Sequence, residues 1–201
     1  MTKPEGAVEK KILEAAKTLF AQKGHEETRF QEIATRAGTS ESQVTKYFGS
    51  KAGLLDALFS KARAYIDEPL KALREETEDP FLILERVSTL LSDFFQKDPE
   101  LLAIYLFSRR FYTRVSPEQL LYGARFRELL ASLFRKGRED KIFRDNFSPE
   151  AAASALWGAV QGMMRDKFYA ERVSEFPDFS FEEMQTVSRA IIRAFAREKR
   201  K

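Results

Sequence analysis

Residues 28–48 read TRFQEIATRAGTSESQVTKYF, and this stretch decides the fold. Phe30, Ile33, Ala34 and Ala37 recur at three- and four-residue steps, the apolar stripe of a short amphipathic helix. Gly38 follows directly, placed to adopt the left-handed conformation that ends a helix. A second short helix then starts at Ser40. It offers Val44 and Phe48 to a core, while Glu41, Ser42, Gln43, Thr45 and Lys46 are polar and point away. Both helices open with a capping-box spacing, Thr28-x-x-Gln31 and Ser40-x-x-Gln43. Two short helices joined by a glycine turn, the second with a polar reading face, make a helix-turn-helix. In DNA complexes of this motif the second helix enters the major groove.

The same period continues on the C-terminal and N-terminal sides. Val8, Ile12, Ala15, Ala16, Leu19 and Phe20 mark one helical face before the motif. Leu54, Leu55, Leu58, Phe59, Ala62 and Ile66 mark another after it. Later faces run through Tyr122, Phe126, Leu129, Leu130 and Leu133, and through Phe181, Met184, Val187, Ile191 and Phe195. Asp79-Pro80, Asp98-Pro99, Ser116-Pro117 and Ser148-Pro149 each set a capping side chain before a proline at the first helical position. The reading predicts helices over 6–23, 28–37, 41–48, 51–77, 80–96, 99–114, 117–137, 149–170 and 180–199. Pro69 is expected to kink or divide the fourth. The fold class is all-α.

Composition narrows the function. The chain has 201 residues, of which 43% are hydrophobic and 32% charged, the balance of a globular protein with a real core. It has no cysteine and one histidine, His25, which removes thiol chemistry, zinc-thiolate sites and triads that need a second imidazole. No nucleophile–base pair or metal constellation stands out, so neither an enzyme nor a cofactor is expected. Apolar runs such as Leu101–Phe107 are too short to span a bilayer, so no membrane partner is expected. The polar start, Met1–Lys11, lacks the apolar core of a signal peptide, and a cytoplasmic location is expected. Net charge is only +3, with nine Lys/Arg against seven Asp/Glu in residues 1–52, so a case for DNA rests on pattern.

That pattern resembles a known family. Gly24-His25-x-x-Thr28, Ile33-Ala34-x-x-Ala37-Gly38-x-Ser40, Tyr47-Phe48-x-Ser50-Lys51 and Leu54-Leu55 look like the N-terminal domain of tetracycline-repressor-like (TetR family) regulators. The match runs from about residue 8 to 59; beyond 60 only helix number, lengths and order are similar. The resemblance implies an N-terminal three-helix DNA-binding domain over 1–52. It also implies a C-terminal antiparallel helical ligand-binding and dimerisation domain over 53–201. It implies a homodimer that binds a double-stranded DNA operator and releases it when a small hydrophobic effector binds. Thr28, Tyr47 and Lys51 look like the family's phosphate-contacting residues. Ser42, Gln43, Thr45 and Lys46 fall on the recognition helix, and Gln31 where some members reach a base. The family usually carries an aromatic at position 45 and a small residue, often glycine, at 42. Thr45 and Ser42 depart from that, so no operator sequence is carried over.

The residues also speak for themselves. Gln43 is suited to bidentate bonds with adenine, and Lys46 to guanine or a phosphate. Tyr47 and Lys51 would position the duplex rather than specify its sequence. The plainer readings are capping partners for Gln31 and Gln43, a core aromatic for Tyr47, a solvated charge for Lys51, and a structural ring for His25.

Residues 80–114 are apolar nearly all round, as in helices buried within a bundle that can enclose a ligand. Candidate ligand contacts are Phe94, Tyr105, Arg109, Tyr112, Phe126, Trp157 and Gln161. Trp157, Gln161 and Arg165 form an i, i+4, i+8 row, and Arg109, Arg110 and Arg165 favour an anionic, hydrophobic effector. Ala151, Ala155, Ala159, Gly158 and Gly162 allow close helix approach, and with the last helix resemble the family's dimer face. Arg197–Lys201 reads as a frayed, solvated end. The competing reading is a helical carrier or sensor of hydrophobic molecules that does not act through DNA.

Overall fold

A computed structural model describes residues 5–111, 117–176 and 178–197, with the side chains of residues 5, 88, 107–111 and 117–121 outside that description. Nine helices span the described residues: α1 Glu5–Lys23, α2 Phe30–Ala37, α3 Glu41–Phe48, α4 Lys51–Glu76, α5 Pro80–Lys97, α6 Pro99–Phe111, α7 Pro117–Glu139, α8 Pro149–Ala170 and α9 Phe181–Phe195. The expected caps act as their chemistry requires. Asp79 Oδ1 accepts from the Phe81 N–H at 2.9 Å, Asp98 Oδ1 from Leu101 at 3.1 Å, and Ser148 Oγ from Ala151 at 3.2 Å. Ser116, the fourth expected cap, lies outside the described residues. Pro69 does not divide α4, which runs unbroken through it. Proline lacks only one N–H, and Leu70 and Leu73 are buried beyond it, so packing carries the helix on.

The chain forms two compact units, Met1–Ala64 with Asp98–Thr113, and Tyr65–Lys97 with Arg114–Lys201. In the first, α1 packs on α2 and on α6, and α2 on α3. Ile12, Ala16, Ile33, Val44, Leu54 and Leu58 fill its core. The joining of α6 to α1 rests on an ionic cluster. Lys17 Nζ donates to Asp98 at 2.9 Å and to Glu14 at 2.6 Å, Lys61 reaches Glu14 at 2.5 Å, and the Thr18 hydroxyl donates to Glu100 at 3.0 Å. Lys17 and Asp98 side chains are each only 11% exposed, so this pair is largely shielded from water. Burial would push the Lys17 ammonium down, yet its bonds to Glu14 and Asp98 outweigh burial and hold it above its ordinary value. Burial likewise opposes ionised Glu14, and Lys17 and Lys61 overcome it, holding that carboxyl below its ordinary value.

In the second unit α5 packs on α7 and α9, and α8 on α7 and α9. An aromatic cluster closes one end: Phe134 lies 5.2 Å from Phe143 and 5.4 Å from Phe195, and Phe147 lies 4.6 Å from Phe195, ring centre to ring centre. Gly137 is required there, since a β-carbon would come within 2.2 Å of the Phe143 ring. The same cluster corrects the expected end of the last helix. α9 stops at Phe195, and Ala196 pairs with Phe143 in one antiparallel bridge. The Arg197 N–H donates to Ile142 O at 2.9 Å and its Nε to Phe143 O at 3.0 Å, so Arg197 is pinned rather than frayed. On α8, Ala151, Ser154, Ala155 and Gly158 are exposed, and β-carbons added at Gly158 or Gly162 would meet nothing within 4 Å. Val187 on α9 is a large apolar side chain left 46% exposed.

Candidate nucleic-acid interface

The site begins at the turn after α1. Gly24, at φ 83°, breaks the helix, and its N–H donates to Phe20 O at 2.9 Å. Thr28 closes the turn: its hydroxyl donates to Gly24 O at 2.7 Å, and the residue is fully buried. Lys51, at the start of α4, reaches back to donate to the carbonyls of His25 at 3.1 Å and Glu26 at 3.0 Å. His25 packs edge-on against Phe20 at 5.7 Å. Burial and the neighbouring Lys51 charge hold its imidazole below the ordinary value.

Thr28 therefore holds the turn, and its hydroxyl proton is not offered outward to a phosphate. The same bond moves the start of α2. The expected box Thr28–Gln31 is replaced by Arg29 as the capping residue, whose N–H donates to the Glu32 carboxylate at 2.8 Å. Lys23 also bonds Glu32 at 2.5 Å, and together these hold its carboxyl below the ordinary range. Gln31 is left exposed. Sequence reading passed over Arg29, which stands exposed on the rim of an open cleft lined by Glu26–Phe30 and Gly49–Lys51. The signal lay in its place one residue beyond Thr28.

Gly38 takes φ 66°, and the N–H of Thr39 bonds Ala34 O at 2.9 Å, turning the chain into α3. Ser40 Oγ accepts from the Gln43 N–H at 3.3 Å and lies 2.8 Å from Ser42 Oγ. Val44 is wholly buried and anchors the helix. Ser42, Gln43, Thr45 and Lys46 are exposed, and Tyr47 and Lys51 half-buried. Lys46 Nζ stands 5.9 Å from the centre of the Tyr47 ring. The Thr45 hydroxyl donates to Glu41 O at 3.0 Å. At the far end Gly49, at φ 68°, donates to Thr45 O at 2.8 Å, and Ser50 Oγ accepts from the Gly53 N–H at 3.1 Å to open α4.

The expected effector residues fall in different places. Phe94 is buried and stacked on Tyr65 at 4.5 Å. Phe126 and Trp157 are buried in contact at 4.8 Å, with Gln161 half-buried one turn further along α8. These four belong to the second unit, whereas Tyr105, buried 6.1 Å from Phe59, belongs to the first. Arg109 lies on α6 with its side chain outside the description, and Tyr112 lies outside the described residues. Arg165 pairs with Asp166 at 2.9 Å. Among the described residues no group of His, Asp or Glu is placed to hold a metal, and no helix is long and apolar enough to cross a membrane.

The helix-turn-helix geometry has counterparts. Residues 12–58 match the family model described as bacterial regulatory proteins, tetR family. The HTH-type transcriptional repressor NicS of Pseudomonas putida strain KT2440 is 25% identical over 138 residues, covering 67% of this chain and 65% of that repressor. The match thus spans just under two thirds of NicS. Among solved structures, the MbdR regulator from Azoarcus sp. CIB superposes with a TM-score of 0.79 at 18% identity, covering 92% of this chain and 96% of that one. AibR, solved with isovaleryl coenzyme A and operator DNA, superposes with a TM-score of 0.73 at 16% identity, covering 94% and 98%. These two likenesses speak to the fold. The expectation that the chain is not an enzyme agrees with a family of regulators. Through the helix-turn-helix and the helices that brace it, residues 12–58 are similar to the tetR family of bacterial regulatory proteins.

Proposed function

We propose that this protein is a DNA-binding transcription regulator, acting as a repressor that binds a palindromic operator as a homodimer. One observation carries the reading: α3 buries Val44 and leaves Ser42, Gln43, Thr45 and Lys46 exposed together, a polar face on a helix of the kind the major groove admits. Gln43 reads adenine, Lys46 a guanine or a phosphate, and Tyr47 and Lys51 steady the duplex. Arg29 joins them on the phosphate side. The exposed small residues Ala155 and Gly158 of α8, with Val187 exposed on α9, support pairing with a second copy of the chain.

The effector in this proposal is small, hydrophobic and anionic, held among the buried aromatics Phe94, Phe126 and Trp157 of the second unit with Gln161 as a polar contact. An acyl thioester of coenzyme A, the ligand bound to AibR, is one molecule of that chemistry. Release requires the effector to bind the DNA-incompetent arrangement more tightly than the competent one. The long α4, which opens at Lys51, is the hinge.

Selection from random duplex DNA tests the reading. An enriched palindrome bound by dimers supports it. A pool that stays unenriched, with and without lipid extract, contradicts it and favours a carrier that does not act through DNA.

A further inference from the structure

Within the second unit, α5 and α9 leave a cleft of about 150 Å³ between them, lined by Glu85, Arg86, Thr89, Gln185 and Arg189. That is room for a small molecule rather than a single water. Every lining residue is polar, and two guanidinium charges stand against one carboxylate, so the cleft is cationic. Arg189 Nε donates to Glu85 Oε1 at 2.8 Å, which fixes the guanidinium by one edge. Its two Nη groups and the whole Arg86 guanidinium bond no other described residue. Thr89 and Gln185, both half-buried, add a hydroxyl and an amide as further donors.

A second observation falls on the same face of α9. Gln185, Ser188 and Arg189 form an i, i+3, i+4 row. Ser188 is fully buried, and its hydroxyl has no hydrogen-bond partner in the chain. Buried hydroxyls are ordinarily satisfied, so this one calls for an oxygen that the protein does not supply. We propose that the cleft between α5 and α9 binds a compact oxyanion, the phosphate or carboxylate group of a small metabolite. Arg86 and Arg189 supply the charge, Thr89 and Gln185 the neutral donors, and the anion or a water it holds satisfies Ser188. At 100° per residue, Glu85 and Thr89 lie on nearly the opposite side of α5 from Phe94, so the site is separate from the buried aromatics. Gln185 and Arg189 likewise lie far around α9 from Val187, and pairing of two copies through Val187 leaves the cleft open. The inference is independent of the DNA-reading role of α3.

Equilibrium dialysis of the full chain against labelled inorganic phosphate, and separately against labelled acetate, tests the site at one ionic strength set by chloride. One saturable site per chain is expected. Tighter phosphate assigns a phosphoryl group to the ligand, and tighter acetate a carboxylate. Arg86→Gln and Arg189→Gln, each checked by thermal melting, are expected to bind at least about tenfold more weakly, the effect of one charge-assisted hydrogen bond. Arg86 is exposed and bonds nothing described, so its variant keeps the test open even if Arg189→Gln unfolds. Ser188→Ala is expected to melt no lower than wild type without anion, yet to bind it about fivefold more weakly. Absence of saturable binding for both anions overturns the assignment, as does wild-type affinity in the arginine variants. Wild-type affinity in Ser188→Ala overturns the part given to that hydroxyl.

Discussion

Gly53 passes so close to the end of the reading helix that a β-carbon on it would lie 2.0 Å from the carbonyl oxygen of Phe48. Backbone, not a flexible side chain, fills that space, so α3 and the first turn of α4 approach as they do only because residue 53 has no side chain. Gly53→Ala must push Phe48 and Gly49 away, and is expected to destabilise the first unit by about 3 kcal/mol, the upper range for overpacking. Thermal melting checks the first effect, and DNA affinity falls with it because α3 is displaced. A Gly53→Ala protein with wild-type melting and binding would show that the approach is not needed.

The pair of Lys17 and Asp98 makes a prediction with a sign. Replacing Lys17 by Met keeps the apolar stem but leaves Asp98 and Glu14 without their common cation. The expected loss is about 2 kcal/mol, below the full penalty of a deeply buried pair because Glu14 is 49% exposed. Lys17 titrates above its ordinary 10.5 in the folded protein, so its contribution is complete below 10.5 and fades as pH rises through the folded value. Glu14 titrates below its ordinary 4.5, so its contribution is present above 4.5 and fades as pH falls through the folded value. Urea midpoints across pH are therefore expected to hold between these limits and fall beyond both. The alkaline fall is expected to shrink in Lys17→Met; an identical alkaline fall in the variant would refute the role given to Lys17.

Thr28 separates two roles that its sequence position alone does not. Its buried hydroxyl donates to Gly24 O, so Thr28→Val is expected to cost about 1 kcal/mol of stability. The slope of log affinity against log salt should stay unchanged. Loss of a phosphate contact instead lowers that slope by about one, and such a drop would restore Thr28 to the DNA surface.

Much of this was legible in advance, and the reasons differ by element. α3 and α8 begin where the sequence says, because Ser40 and Ser148 are unambiguous N-caps, and α3 ends there too because Gly49 closes it. α2 begins later than its spacing suggests, since a Thr–x–x–Gln pattern does not reveal that the threonine hydroxyl has a better acceptor four residues back. α9 ends earlier, because Phe195 is captured by Phe134 and Phe147, a contact made across the chain rather than along it. The docking of α6 on α1 through Lys17 and Asp98 was hidden for the same reason: 81 residues separate partners that look like ordinary surface charges. The exposed face of α3 could be read because helical period alone separates Val44 from Ser42, Gln43, Thr45 and Lys46. The effector residues could not, because an aromatic on an all-apolar helix looks the same in a core and in a pocket.

Ala155 tests the pairing of two copies. It is exposed on α8, so Ala155→Arg should leave the melting temperature of the isolated chain unchanged while blocking close approach of a second α8. Sedimentation is expected to show a dimer for wild type and a monomer for the variant, with operator affinity falling as the second half-site contact is lost. A variant that remains dimeric would place the interface elsewhere.

The central claim is that α3 reads sequence. Its most direct test is the affinity of wild type and Gln43→Ala for the enriched duplex and for a scrambled duplex of equal composition, at one salt concentration. The account predicts that wild type prefers the enriched duplex by at least about a thousandfold. It predicts that Gln43→Ala loses about 1–3 kcal/mol of that preference while binding the scrambled duplex as before. Equal binding of both duplexes by wild type would contradict it.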